Sequence, residues 1–514
     1  MAWQIIKGHY VHPDLPEHVY GALDRVRRVT TPKGKTFVIG KVSLQTYQSI
    51  RRAGMVCPSP AECPSWKPLG TFTPMRHQIK TIGSILAHRR SFVLDDPGTG
   101  KTNAAIWAMQ EWFKAKAVRR VLIVAPLSIV HGVWLSNLFF HTEWSVADLT
   151  KKTRDKRLRL AKDPRYEVLV ANPQILHNLE GNIPGVDAIV VDECTAFKSH
   201  SSRQTKALQK LLDTQNDPYL VMMTGTPAPQ GPDDAYRLIK FVNPRAKRLT
   251  FRAWRDMTMI QVSDFQWIPR KSAQQTLTEW LQPGTRTSRE QALDLPPLRT
   301  YERHYEMTGD QVKAIKHMRD EAMATIDGEY ISAANAAVAA SKALQILTGH
   351  VKTTDVTTDE TKTLSIDASS WYEAVREIIE ERHDPVLVFV PFKTAAQQLA
   401  VKLQCPLVTG DVPQDERQQI YRQINNKEVE AVVAVAQTMS HGLTLTGANC
   451  VLWALPPVGA EQYQQGNARV YRNGQAKPVD IIHLIGHNFV QALFKRTDER
   501  VKLQQAVLDA LAVI

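Results

Sequence analysis

The chain has 514 residues, a formal charge of +13 and 43% hydrophobic residues. That length excludes one ordinary domain and predicts two large domains plus extras, each with material for a full core. The positive excess points to a polyanionic partner, nucleic acid being the commonest, with a solvated basic face as the bland alternative.

Five scattered cysteines exclude a disulfide framework. No apolar run approaches the roughly 20 residues of a membrane span. The start, "MAWQIIKGHYVHPD", lacks the apolar stretch of a signal peptide. A cytoplasmic protein is expected, or a nuclear one in a host with a nucleus.

Residues 1–70 contain short alternating runs such as "KTFVIGKV", then "CPSPAECPSWKPLG". They read as a small accessory module whose Pro-rich stretch uncouples it mechanically from the rest of the chain. Cys57 and Cys63 lie between prolines and would make half a zinc site, but no second Cys/His pair occurs downstream at finger spacing.

From Thr71 short β-rich runs alternate with helical stretches: "SFVLDD", "RVLIVAP", "YEVLVAN", "AIVVDE", "YLVMMTG". Runs buried on both faces predict a parallel sheet covered by helices, an α/β lobe over 71–244. A dense basic run, "KKTRDKRLRL", falls at Lys151–Leu160. Residues 245–369, which include the helix-rich composition "EYISAANAAVAASKALQIL", read as an insertion leading into a second lobe. That lobe, 370–514, has its own series: "PVLVFVP", "CPLVTG", "AVVAVAQ", "CVLWALP", "VDIIHLI".

The chemistry concentrates in "VLDDPGTGKT", Val93–Thr102. Strand, Gly-rich turn and helix form the context that a phosphate-binding loop requires. Gly98 and Gly100 let backbone amides face phosphates, and Asp96 and Thr99 of the same loop are expected nucleotide-binding residues. The helix start adds positive potential. Lys101 supplies a charge for the outer phosphates and Thr102 a hydroxyl for Mg²⁺. "AIVVDECTAF" supplies the acidic element: Asp192 to hold Mg²⁺ through water, Glu193 to activate the attacking water. A Gly-containing turn with a chance Lys-Thr, or two acidic residues at a strand end, is each common alone; together in this order they are not.

On these motifs the chain resembles the Swi/Snf-type ATPases of helicase superfamily two, over roughly Phe72 to Ile485. In that family the loop commonly reads DD-x-G-x-GKT, so Asp95 is a family trait. The resemblance implies two RecA-like lobes. "FTPMRHQ" looks like the adenine-reading element, with Gln78 as the contact. "VLIVAPLSIVHGVW" is similar to the segment touching one DNA strand, with Ser128 in the contact turn. "DECTAFKS" matches the acidic box, with Cys194 and Thr195 where Ala and His are more usual. "LVMMTGTPAPQ" resembles the coupling motif, with Thr224 and Thr226 expected at DNA. "RTSREQALDLPP" resembles the segment entering the insertion.

In the second lobe, "AVAQTMSHGLTLTGANCVLWALP" resembles a DNA-contacting motif, with Gly442 and Thr444 as contacts. "YQQGNARVYRNGQ" carries the final signature: Gln465 at the nucleotide, Arg469 and Arg472 as transition-state cations, then Gly474 and Gln475. The arginines, three apart, are expected on one helical face. The resemblance implies an ATP- and Mg²⁺-dependent enzyme whose interlobe cleft hydrolyses ATP to move along or remodel DNA, duplex or branched, in replication, recombination or repair. A monomer is expected. A strand-separating helicase on single-stranded DNA or RNA, or a catalytically weak binding module, are the alternatives. The chain is short for the resemblance, which suggests a bacterial or viral setting.

Overall fold

The structure is a computed structural model, described over residues 2–179, 183–263, 266–292, 295–324, 341–354, 361–438, 444–457 and 459–499. Residues 329–340 of the run expected to be helical, and Gly442, lie outside the described residues. The chain divides into two compact units. One comprises Met1–Ile260 with Ile268–Leu293, and the other Gln261–Trp267 with Asp294–Leu503.

The first unit opens with an antiparallel sheet of strands β1 (Gln4–Ile6), β2 (His9–Pro13), β3 (Val26–Thr30) and β4 (Thr36–Lys41), ordered β1-β2-β4-β3. The Leu44–Arg52 helix comes next, capped by the Ser43 hydroxyl accepting from the Thr46 amide. The Pro-rich stretch does not uncouple this module. Trp3, Tyr10, Tyr47 and Ile50 share one buried cluster with Ile82, Trp107, Trp112 and Tyr219. Polar clasps seal the contact: Tyr47 Oη donates to Gly83 O at 3.0 Å and Gln48 Nε2 to Leu86 O at 2.9 Å. Trp66 Nε1 donates to Glu111 Oε1 at 2.9 Å, so the stretch expected to be a linker is itself fastened. Prolines in sequence suggest a hinge; the tryptophans and tyrosines flanking these ones bury too much area for one. Cys57 lies inside this cluster, and burial pushes its thiol up to about 12.

The main sheet has strands β5 (Arg90–Val93), β6 (Val121–Val124), β7 (Val146–Asp148), β8 (Val168–Ala171), β9 (Ala188–Val191) and β10 (Tyr219–Met223). A two-stranded pair, β11 (Met259–Ser263) and β12 (Gln266–Pro269), stands apart, and β13 (Gly284–Thr285) completes the order β13-β5-β10-β9-β6-β8-β7. The pairings are parallel. The five runs expected to be strands are β5, β6, β8, β9 and β10, and their central residues are fully buried, as a sheet covered on both faces demands.

The second unit contains β14 (Leu298–His304), an antiparallel pair β15 (His350–Thr354) and β16 (Thr361–Ser365), then β17 (Val386–Phe389), β18 (Leu407–Val408), β19 (Ala431–Ala434), β20 (Cys450–Trp453) and β21 (Val479–Ile485). Its main sheet runs β14-β21-β20-β17-β19-β18, again parallel. Trp371, Phe389, Trp453 and Tyr463 anchor its core. The 245–369 segment thus gives β13 to the first sheet and β14 to the second. Among the described residues no helix is long and apolar enough to cross a membrane.

Candidate functional site

The phosphate loop hangs between β5 and the Lys101–Lys114 helix. Gly98 has φ 89° and Gly100 φ 81°, conformations that L side chains rarely adopt. A Cβ at Gly100 would also collide with Gln78 Nε2. Gln78 is 6% exposed and lies under the loop: its Nε2 donates to Thr99 O at 3.2 Å and Gly100 O at 3.4 Å, while its Oε1 accepts from the Met75 amide. Thr99 Oγ1 donates to Asp96 O at 2.8 Å. Lys101 Nζ folds over the loop, donating to Asp95 O at 2.7 Å and Asp96 O at 3.1 Å. Thr102 is the second residue of the helix.

Both loop aspartates, including Asp96, which is expected at the nucleotide, are tied into the fold by side-chain hydrogen bonds. Asp95 is buried and accepts from Thr81 Oγ1 at 2.7 Å; burial raises its pKa. For Asp96, burial pushes upward too, but the guanidinium of Arg286 and the Arg289 amide hold the carboxyl below its ordinary value. Arg286 Nη1 donates to Asp96 Oδ1 at 2.7 Å and to Leu94 O at 2.9 Å. The Arg289 amide donates to Asp96 Oδ2 at 2.9 Å. Strand β13 sets this up: the Leu94 amide bonds Thr285 O, and the Asp96 amide bonds Thr287 O. Arg286, Arg289 and Thr81 were not among the expected site residues. The first two sit in the quoted "RTSREQALDLPP", but nothing local in it names a partner 190 positions away.

Asp192 ends β9 beside the loop. Its Oδ2 accepts from Trp134 Nε1 at 2.9 Å and its Oδ1 from the Glu193 amide at 3.0 Å. Burial, then repulsion from Glu193, raises its pKa, and Lys101 acts in the opposite sense. Glu193 has φ 48°, a left-handed conformation costly for a non-glycine residue and a known mark of functional sites. Thr224 Oγ1 donates to Glu193 Oε2 at 3.5 Å, and the Thr226 amide donates to Thr224 Oγ1 at 3.0 Å. Both threonines are expected at DNA; here they are 0% and 2% exposed, Thr224 turned toward Glu193 and Thr226 toward Thr224, whose Oγ1 lies 3.4 Å from Thr226 Oγ1. Between them, Gly225 packs on the loop: a Cβ there would come within 2.7 Å of Pro97 Cδ. Ser128 is exposed in the helical turn after β6.

Thus one unit gathers Gln78, the loop, Lys101, Asp192, Glu193 and Thr224. The hard oxygen donors of Asp192 and Thr102 suit Mg²⁺. Among the described residues no group of three or more His, Cys, Asp or Glu could hold a metal by itself.

In the second unit, Gln465 Nε2 donates to Glu461 Oε1 at 3.1 Å within the Ala460–Val470 helix. Arg469 is 4% exposed at the end of this helix. Arg472 is not on the helix: Tyr471, with ψ 84°, ends it, and Arg472 lies half-buried in the next turn. The expected shared helical face therefore does not exist. Gln475 holds the turn, its Nε2 donating to Ala448 O at 2.8 Å. Thr444 is exposed, and its carbonyl accepts from Asn425 Nδ2.

Comparison with known proteins fits this geometry. The SNF2-related domain family matches residues 73–357, and the helicase conserved C-terminal domain matches 371–474. Protein p41 of Acyrthosiphon pisum secondary endosymbiont phage 1 is 25% identical over 480 residues, 86% of this chain and 99% of that one. The DNA excision repair protein ERCC-6-like of Bos taurus is 26% identical over 166 residues, 30% of this chain but only 13% of that protein. Among solved structures, the Sulfolobus solfataricus SWI2/SNF2 ATPase core in complex with dsDNA is 20% identical with a TM-score of 0.40, covering 87% of this chain and 96% of that one. With more than half of its length inside the first of these matches, the chain belongs to the SNF2-related domain family and is a helicase-like ATPase core.

Proposed function

We propose that this chain is a DNA-stimulated ATP hydrolase that moves along or remodels duplex or branched DNA in replication, recombination or repair. The observation that carries the reading is the cluster of Lys101, Asp192, Glu193 and Thr224 beneath one phosphate loop. Lys101 would exchange its two loop carbonyls for phosphate oxygens. Asp192 and Thr102 would hold Mg²⁺, which neutralises phosphate charge when bound. Glu193, fixed by Thr224, would orient and deprotonate the attacking water. Gln78 would read adenine at the loop's edge, and Gln465 is a second nucleotide contact in this reading. Arg472, with Arg469, is carried as the source of transition-state charge. Ser128 and Thr444, exposed in their turns, are the proposed DNA contacts. The match to a DNA excision repair protein supports a DNA-processing setting.

The test is ATP turnover by the full chain with single-stranded, duplex, forked and four-way DNA, and with RNA alongside. Turnover should rise with duplex or branched DNA, and Glu193→Gln should keep nucleotide binding while losing at least about a hundredfold in kcat, the scale of positioned general-base catalysis. Turnover that stays flat across every nucleic acid would remove DNA stimulation. Near-normal hydrolysis by Glu193→Gln would remove Glu193 from its role.

A further inference from the structure

The first unit carries a second basic feature, apart from the phosphate loop. Between the N-terminal module, the Arg76–Ala87 helix and edge strand β13 lies a groove of about 1500 Å³. Small-molecule sites occupy roughly 300–1,000 Å³, so this space suits a stretch of polymer better. Seven lysine and arginine side chains line it, against three carboxylates.

Those carboxylates are already engaged. Asp217 pairs with Arg89 and Arg90 at 3.4 Å each. Glu62 Oε1 accepts from the Ser59 amide, and Glu279 Oε1 from Gln275. Arg286 is committed to Asp96. Arg51, Arg76, Lys80 and Arg245 remain, with no carboxylate partner among the described residues. Arg76, Lys80 and Arg245 are exposed. Arg76 and Lys80, four apart on one helix, share its groove-side face.

The wall between them is rich in unanswered polar groups. Arg51 Nε, Ser59 Oγ, Gln282 Nε2 and Thr285 Oγ1 are buried without a hydrogen-bond partner. Fixed positive charge with spare donors matches an acceptor-only anion such as a phosphodiester. His88, also on the wall, has its pKa lowered first by burial and then by the charge of Arg51.

Position separates this groove from the expected strand-contact turn. The sheet order places β13 at one end, with β5, β10 and β9 between it and β6, which leads to Ser128. Four strand-to-strand steps of about 4.8 Å, roughly 19 Å in all, separate β13 from β6, so the two places meet different stretches of backbone. We propose that the groove holds the sugar–phosphate backbone of a second DNA segment, such as one arm of a branched substrate, with the N-terminal module supplying one wall through Arg51 and Ser59. This rests on the reading that the chain acts on DNA.

The test uses the full chain with Lys80→Gln and Arg245→Gln combined, residues outside the nucleotide site. Binding of a labelled four-way DNA and of a short linear duplex is measured across salt concentrations, with ATP turnover in the absence of DNA as the control. Basal turnover should stay unchanged. On four-way DNA the salt slope should fall by about 1.8, since each lost phosphate contact removes roughly 0.9, while the short duplex changes little. The single variants Lys80→Gln and Arg245→Gln, each expected to lower the slope by about 0.9, keep the test open should the double variant fold poorly. An unchanged slope with a DNA-stimulated wild type overturns the groove alone. An equal fall on short duplex overturns the second-segment assignment. A wild type that neither binds DNA nor responds to it overturns the parent reading and this one together.

Discussion

Arg286 is a charged side chain at 1% exposure, and Asp96 is the carboxylate that balances it. Removing one member of a buried pair costs more than the pair contributes, because the other charge is stranded in low dielectric. Arg286→Met should therefore destabilise the first unit by about 3–5 kcal/mol. It should also weaken ATP binding, since Asp96 O is one of the two carbonyls that hold Lys101. Adding Asp96→Asn should recover much of the stability, because the stranded charge is gone. Urea unfolding of both single variants and the double closes the cycle. Additive losses would mean that the two residues do not act as a pair. Lys101, Asp192 and Glu193 are legible in the sequence because loop and strand-end chemistry fixes such residues at local spacing. Arg286 is invisible there in this role, since its partnership depends on a two-residue edge strand aligning distant segments. Thr224 is legible as a site residue but not in its surroundings: a motif states which residues recur, not which way their hydroxyls point.

At the scale of elements, strands covered on both faces were legible, and of the edge strands of the two main sheets β18 was while β7, β13 and β14 were not. Strand β14, "LRTYERH", is exposed along its whole length and charged, so it carries no apolar signature. Its neighbour β21 is apolar and buried, apart from half-buried Asp480 and the buried polar ring of His483. His483 is 2% exposed, its Nε2 lies 2.8 Å from Tyr463 Oη, and its ring stacks on Phe494 at 4.1 Å. Burial pushes its pKa down to about 4, with Glu302 opposing. In the unfolded chain the imidazole titrates near its ordinary 6.5. Stability from the neutral ring is thus complete above about pH 6.5 and drains away as the pH falls toward 4, where the unfolded state binds the extra proton. The full loss amounts to about 3 kcal/mol. His483→Gln keeps a hydrogen-bonding group without a titration in this range. Comparing unfolding free energies at pH 7 and 4.5, the wild type should lose about 2–3 kcal/mol more than the variant. Equal losses would assign the acid sensitivity elsewhere.

Over the whole molecule, the N-terminal residues behave as part of the first unit and not as a detachable appendage. Their contact reaches both helices, at Gly83 and Leu86 of Arg76–Ala87 and at Trp107, Gln110 and Glu111 of Lys101–Lys114. It continues at Gln45, whose Nε2 reaches Ala115 O at 3.0 Å, and at Leu69, whose carbonyl accepts from Trp107 Nε1 at 2.9 Å. Trp3, Tyr10, Leu44, Tyr47 and Ile50 are each buried against this surface or within the same cluster. At about 1.5–3 kcal/mol per buried side chain, their combined burial rivals the roughly 5–15 kcal/mol that holds a typical domain together. Deleting residues 1–70 would bare Ile82, Trp107 and Trp112 to solvent. We expect the truncated chain to aggregate or to lose cooperative unfolding of the first unit, while the second unit, which has its own core, still melts. Tyr47→Ala in the full chain gives the graded version. It removes a buried ring and the Gly83 hydrogen bond, so a loss of about 3–5 kcal/mol is expected without loss of solubility. Calorimetry of the two proteins beside the wild type decides the matter. A soluble truncation that melts at the parental temperature would show that the module is separable, and would return the Pro-rich stretch to the role of a linker.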